Sequence, residues 1–143
     1  MKFDHLGVVV PTLNEGRALL SAALQVAEWS REFADPLNGV FVQFGRDRLA
    51  MCYELVAPLG SNSPVALALR KREAILNHVA YRVDLLEPQV NRLRDLYFHP
   101  LGTPKPAVAY EGRNILFLMS PLNFIVELIE HPAHEHVFSK LAI

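Results

Sequence analysis

The sequence predicts an α+β fold: two tandem βαβββ modules forming one curved mixed sheet, with a concave face that binds metal. Three observations carry that reading. His5 and His78 each sit in a strand-like apolar run, Phe3-Asp4-His5-Leu6-Gly7-Val8-Val9-Val10 and Ile75-Leu76-Asn77-His78-Val79-Ala80-Tyr81-Arg82-Val83, at an offset of 73 residues (78 − 5). Glu54 and Glu127, in Tyr53-Glu54-Leu55-Val56 and Val126-Glu127-Leu128-Ile129, repeat that offset (127 − 54), so each half carries a His and a Glu 49 residues apart (54 − 5 and 127 − 78). The elements between them run in the same order in both halves, as an internal duplication requires.

Module one covers about residues 1–58. Residues 4–10 read as a strand with His5, Gly7 and Val9 on one face and Leu6, Val8 and Val10 on the other. Pro11 ends it, and Thr12-Leu13-Asn14-Glu15 has the form of a capping box. A helix is expected to follow to about Ala27, with Leu20, Ala23, Leu24 and Ala27 as its apolar stripe. Residues 28–33 read as a short polar edge strand, Pro36 to Gly39 as a turn, and Val40 to Gly45 and Leu49 to Ala57 as strands. On the last of these Glu54 shares a face with Ala50, Cys52 and Val56. A charge on a small-residue face implies a concave surface with room for a ligand, because close packing would leave it unpaired.

Residues 59–73 form a linker in which Ser63-Pro64 is an N-cap and first-turn pair for a short helix through Leu69. Arg70-Lys71-Arg72 then suits a solvated helix C-terminus. Module two, about residues 74–131, repeats the order with a strand at 75–83 and a cap at Asp84-Leu85-Leu86-Glu87, with Pro88 in the first turn. Its helix has Leu86, Val90, Leu93 and Tyr97 as the buried stripe. Ala107 to Tyr110 reads as a short edge strand, followed by strands over Arg113 to Met119 and Phe124 to Glu130. In the last one Phe124, Val126 and Leu128 face one way, and Ile125, Glu127 and Ile129 the other. Residues 132–143 form a tail of short helix or loop. Both module helices are expected on the convex side of the sheet.

With 51% hydrophobic and 20% charged residues, the 143-residue chain can bury one core and is expected to be a single domain over 1–143. A formal net charge of −1 offers neither nucleic acid nor an anionic membrane the basic face they need, so the expected partner is a small-molecule substrate. Cys52 is the only cysteine, which points to a reducing compartment. No apolar run approaches the length of a membrane span, Met1-Lys2 leads directly into a strand, and the expected location is cytoplasmic.

Two neutral imidazoles and two carboxylates, His5, Glu54, His78 and Glu127, neutralise one divalent cation and leave one or two positions for water or substrate. The mixed N and O set suits Zn, Ni, Co or Mn. Such an ion is a Lewis acid for a carbonyl and can stabilise an enolate, with a nearby Glu as base. Glu127 and Glu54, related by the repeat, approach from opposite sides and are the expected acid-base pair. His131, His134 and His136 resemble ligands in type, but a Pro-interrupted tail is a poor rigid frame, and they are not expected to serve.

Over nearly its whole length the chain resembles the vicinal oxygen chelate superfamily, and within it looks most like methylmalonyl-CoA epimerases. The resemblance rests on residues 3–10, on Glu54-Leu55-Val56-Ala57-Pro58-Leu59-Gly60 followed by Asn62-Ser63-Pro64-Val65, on Asn77-His78-Val79-Ala80-Tyr81-Arg82-Val83-Asp84, and on Ile125-Val126-Glu127-Leu128-Ile129. It implies a glyoxalase-like fold, a divalent metal on the four residues named above, a homodimer, and epimerisation of an acyl-CoA thioester such as methylmalonyl-CoA through a metal-stabilised enolate. A glyoxalase I-like isomerase of a thiol-aldehyde adduct has the same His, Glu, His, Glu order. Drug-binding members generally lack these ligands, and a 2-His-1-carboxylate Fe(II) dioxygenase would have no use for Glu54. The chain departs from the epimerase pattern twice: Met119-Ser120-Pro121-Leu122-Asn123-Phe124 replaces a His-Pro-Lys segment with its Gly-containing insert, and Val42 and Gln43 stand where a further acid-base carboxylate is proposed in that family.

Overall fold

The computed structural model describes residues 1–71 and 78–140. Residues 75–77 of the expected second-module strand, and residues 72 and 73 of the linker, lie outside them. In chain order the elements are β1 Lys2–Val9, α1 Leu13–Leu24, β2 Glu28–Trp29, β3 Phe33–Asp35, β4 Val40–Arg46, β5 Cys52–Pro58 and α2 Pro64–Arg70. They continue with β6 His78–Arg82, α3 Leu86–Asp95, β7 His99–Pro100, β8 Lys105–Pro106, a 3-10 turn Val108–Tyr110, β9 Asn114–Met119, β10 Ile125–Ile129 and β11 Ser139–Lys140. The strands make one mixed sheet in the order β11-β2-β4-β5-β1-β6-β10-β9-β7, with β3 added to β4 and β8 to β9. β1 runs parallel to β5 and β6 parallel to β10, while β1 and β6 are antiparallel. The two modules are therefore related by a pseudo-twofold axis between β1 and β6.

Each module helix docks by one apolar face. For α1 that face is Leu13, Gly16 and Leu20, packed with Val10, Val26, Trp29, Leu55 and Ala57. Ala23, Leu24 and Ala27 are exposed, contrary to the expected stripe, because the helix stops at Leu24. Gln25 takes a left-handed φ of 57° there, turning the chain so that Val26 and Trp29 can enter the core. Thr12 caps α1 by accepting from the Glu15 amide, and the Glu15 carboxylate accepts from the Thr12 hydroxyl rather than from a backbone amide. A 12-residue helix is marginal alone, so docking supplies most of its stability.

On α3 the buried face is Leu86, Val90 and Leu93, set against Leu116, Leu118, Val126 and Leu128. Tyr97 lies beyond the helix end with φ 67° and is exposed, so it leaves the expected stripe. The expected Asp84 cap is replaced by Glu130, whose Oε2 accepts from the Leu86 amide at 2.7 Å.

The third helix lies on the other side of the sheet from the two module helices. α2 begins as expected, with the Ser63 hydroxyl accepting from the Val65 amide, but Val65 packs into the cluster of Val42, Phe44, Val56, Ala80, Tyr110 and Ile129 on the face opposite α1 and α3. The 3-10 turn joins the same cluster where an edge strand was expected. It forms because Asp35 Oδ2 accepts from the Val108 amide and Tyr110 N–H returns to the Ala107 carbonyl, which drives the Tyr110 ring inward to 1% exposure. The outer strand of each module is split in two, as β2 with β3 and β7 with β8. In the first, Ser30 and β4 exchange bonds at Phe44, and in the second Gly102 takes φ 142° between the pieces. The tail folds back so that β11 pairs antiparallel with β2 and covers its edge.

Candidate active site

Sheet register places the four expected ligands in two rows. Gly7 lies opposite Glu54 on one side and His78 on the other. Ala80 lies opposite His5 on one side and Glu127 on the other. Each histidine thus faces the small residue two positions after the other histidine, and each glutamate comes from the strand flanking the central pair. The small residues are a steric requirement. A Cβ on Gly7 would sit 1.9 Å from His78 Cε1 and 2.4 Å from its Nε2, so the imidazole occupies the space that any side chain there would fill.

The inward atoms converge. His5 Nε2 is 3.1 Å from His78 Nε2, 3.3 Å from Glu127 Oε1 and 3.7 Å from Glu54 Oε1. His78 Nε2 is 3.7 Å from Glu54 Oε1 and 3.8 Å from Glu127 Oε1. All four residues are buried. His5, His78 and Glu127 bring ligand atoms within 4.8 Å of one another, and Glu54 Oε1 lies at the same distance from both imidazoles.

A β-bulge aims the first ligand. Pairing of β1 with β6 shifts between Phe3 and His5, which makes Asp4 the extra residue and breaks the alternation of faces. Asp4 and His5 are consequently both buried, and Asp4 Oδ2 accepts from His5 Nδ1 at 2.7 Å. The Nε2 lone pair of neutral His5 must then point into the cluster. Asp4 Oδ2 also accepts from the Tyr110 hydroxyl at 2.6 Å and from His136 Nε2 at 2.9 Å, and Arg82 Nε lies 3.1 Å from Oδ1. Burial would raise the Asp4 carboxyl, but the hydrogen bonds from His136 and His5 outweigh it and hold it well below the usual carboxylate range. Burial, reinforced by Asp4, Glu127 and Glu54, pushes the Tyr110 phenol up, so it stays a donor.

The donor set fits a divalent ion. Ligand atoms about 2.0–2.1 Å from a tetrahedral zinc lie about 3.3 Å apart, and the inward atoms here are spaced 3.1–3.8 Å. Among the described residues Glu127 Oε1 is buried without a hydrogen-bond donor, and two imidazole Nε2 atoms face each other, an arrangement that a cation resolves. With protons alone to balance the charge, burial would lower His5, but Glu54, Asp4 and Glu127 outweigh it and hold the ring up at about 10. Burial, opposed by His5 and aided by Glu127, pushes Glu54 up.

Above the cluster is a cavity of about 310 Å³. Glu54, His78 and Glu127 reach it through walls that include Val42, Val56, Val65 and Phe117. Val42 faces this cavity, while Gln43 turns away to bond the Ser30 carbonyl and Arg17, so neither supplies a further carboxylate. Lys105 is the only cationic side chain among the described lining residues.

The structure thus brings together all four residues expected from the repeat. Sequence reasoning missed Asp4, Tyr110 and His136, which fix His5 from behind. It also missed Gly7 and Ala80, although a small residue two positions after each histidine was a readable signal. The tail was misjudged as a poor frame: Arg82 Nη1 donates to the Pro132 and His134 carbonyls, and His134 is 7% exposed.

The fold is a duplicated βαβββ sheet with paired His and Glu side chains, a candidate metal centre, at the floor of an apolar cavity. The sequence profile of the Glyoxalase/Bleomycin resistance protein/Dioxygenase superfamily matches residues 4–117, and the chain belongs to that superfamily. An ethylmalonyl-CoA/methylmalonyl-CoA epimerase of Cereibacter sphaeroides is 29% identical over 133 residues, covering 90% of this chain and 95% of the relative. The uncharacterized protein YqjC of Bacillus subtilis is 29% identical over 140 residues, covering 94% of this chain and 96% of the relative. Methylmalonyl-CoA epimerase from Mycobacterium tuberculosis shares the fold, with a TM-score of 0.71 at 23% identity over 90% of this chain and 86% of that one.

Proposed function

We propose that the protein is a divalent-metal-dependent epimerase that moves the α-proton of an acyl-CoA thioester, such as methylmalonyl-CoA, from one face of the α-carbon to the other. The observation that carries the reading is the placement of Glu54 and Glu127: two buried carboxylates that reach the paired imidazoles from strands on opposite sides of the β1/β6 pair. The epimerase relative, similar along almost its whole length, supports it.

His5, His78, Glu54 and Glu127 would hold one Co, Ni, Zn or Mn ion, which polarises the thioester carbonyl and stabilises the charge that develops as the α-proton leaves. Asp4 and Tyr110 orient the His5 ring, and Gly7 gives the His78 ring its place. Glu127 and Glu54 form the acid-base pair, one taking the proton and the other returning it on the opposite face. The valine-rich walls keep water from returning the proton without stereochemical control. Lys105 on the wall suits the free carboxylate of a malonyl-type acyl group.

The test is exchange of the α-proton with D₂O, followed by NMR on metal-loaded protein, with a methylmalonyl-type thioester and with a hemithioacetal. Wild type should exchange and racemise the thioester. Glu127→Gln and Glu54→Gln should each abolish racemisation, and one of them should retain exchange while metal stays bound. Exchange of the hemithioacetal alone would replace the epimerase by a glyoxalase-like isomerase. Exchange of neither substrate would end the proton-transfer reading.

A further inference from the structure

Behind the site, and outside the cavity, lies a second group of ligand-type side chains. Glu111 Oε2 is 2.9 Å from His131 Nε2 and 3.0 Å from His134 Nδ1, and the three atoms form one cluster. Glu111 is delivered by the turn after the 3-10 segment, where it and Gly112 take φ 53° and 75°. His131 and His134 come from the turn after β10, closed by His134 N–H to the His131 carbonyl and held by Arg82. The ligands are therefore fixed by packed backbone. His131 Nδ1 has no hydrogen-bond partner among the described residues, so Nε2 makes that ring's polar contact.

The Asp4 carboxylate accepts only, so His136 Nε2, 2.9 Å away, is the N–H end of its ring. In a neutral His136 the Nδ1 atom then accepts, and it lies 3.3 Å from His134 Nε2, which must donate. A His134 ring that donates from Nε2 has its Nδ1 lone pair aimed at the Glu111 carboxylate oxygen, 3.0 Å away. Two lone-pair atoms at this distance repel unless a positive centre joins them.

We propose that Glu111, His131 and His134 form a second divalent-cation site, separate from the cavity. Two imidazoles and one carboxylate suit a first-row ion such as Zn²⁺ or Co²⁺. The ion is reached from solvent, because the Glu111 side chain is 64% exposed, and water completes its shell. Its role is to lock the tail. The bonded series His134, His136, Asp4 and His5 runs from this site to the cavity's first ligand, so the second ion also fixes the ring orientation of His5.

The experiment counts ions. Protein stripped with chelator is titrated with Co²⁺, following heat and the visible spectrum, for wild type, Glu111→Gln, His131→Asn and His78→Ala. Folding of each variant is checked by circular dichroism. Glu111→Gln keeps the shape of an exposed side chain, and His131→Asn gives an independent second removal. Wild type should bind two equivalents per chain, with one lost in Glu111→Gln and in His131→Asn and a different one lost in His78→Ala. A single equivalent lost in Glu111→Gln but kept in His78→Ala would support this site while removing the cavity metal. A single equivalent lost in His78→Ala and unchanged by Glu111→Gln would overturn the proposal, leaving a proton shared by His134 and His136 as the positive centre.

Discussion

Replacing Gly7 by Ala is the sharpest perturbation of the site, because its effect follows from three distances. A Cβ there would lie 1.9, 2.3 and 2.4 Å from His78 Cε1, Nδ1 and Nε2. Carbon atoms settle about 3.5–4.0 Å apart, so the ring must move by roughly 1.5–2 Å. Phe117 packs edge-on against the ring with centroids 5.3 Å apart, so the displaced imidazole is expected to rotate out of the cluster. Gly7 is not among the positive-φ residues, so alanine brings no backbone strain, and its ordinary effect in a strand is a gain of about 0.5–1 kcal/mol. The protein should fold while His78 leaves the ligand set. Metal affinity, measured by competition with a chromogenic chelator, should fall by about 10²-fold, and α-proton exchange by at least as much. In a His78→Ala background the same change should cost nothing further, since its whole effect passes through that ring. Wild-type affinity in Gly7→Ala, or an undiminished loss in the double variant, would refute the steric argument.

Asp4→Asn replaces the carboxylate that accepts from His5, Tyr110 and His136 by a neutral amide with one acceptor oxygen, and it should weaken metal binding about 10- to 100-fold by the same chelator assay. The native Asp4 carboxyl is held below its ordinary value, so it contributes stability that is present above the ordinary carboxylate range and lost as pH falls below it. Acid unfolding of the Asn variant, followed by circular dichroism, should lack that part of the pH dependence. His5 shows the opposite sign: its proton contributes stability to the metal-free protein that is complete below the ordinary imidazole value and lost as pH rises through about 10. A metal must displace that proton, and affinity should therefore tighten with rising pH by about tenfold per unit for each proton released. Titration calorimetry in buffers of different ionisation enthalpy measures the release, and pH-independent binding would contradict it. The homodimer implied by the family resemblance predicts twice the chain mass by light scattering at micromolar concentration, and a monomeric mass would exclude it.

The chain's two-fold repeat made the centre of this protein legible from sequence. A strand's period of two fixes which side chains share a face, so His5 with Gly7, Cys52 with Glu54, and Ile125 with Glu127 could be assigned before any pairing was known. The repeat then put the two histidines, and likewise the two glutamates, on equivalent strands. Local capping chemistry was equally readable at Thr12 and Ser63, where donor and acceptor lie within three residues.

What the sequence could not decide are the contacts that depend on how far apart two residues end up. The α3 start is capped by Glu130, 44 residues away, so the local Asp84 pattern misled. The 3-10 turn at Val108–Tyr110 exists because Asp35 and Asp4 reach it from the other module. The histidines of the tail read as a loose cluster in one dimension. Only the return of the chain, which sets His136 beside Asp4 across 132 residues, makes them part of the site. Periodicity records the faces of an element, whereas such contacts form only once the sheet has closed the distance, and that is decided by tertiary packing.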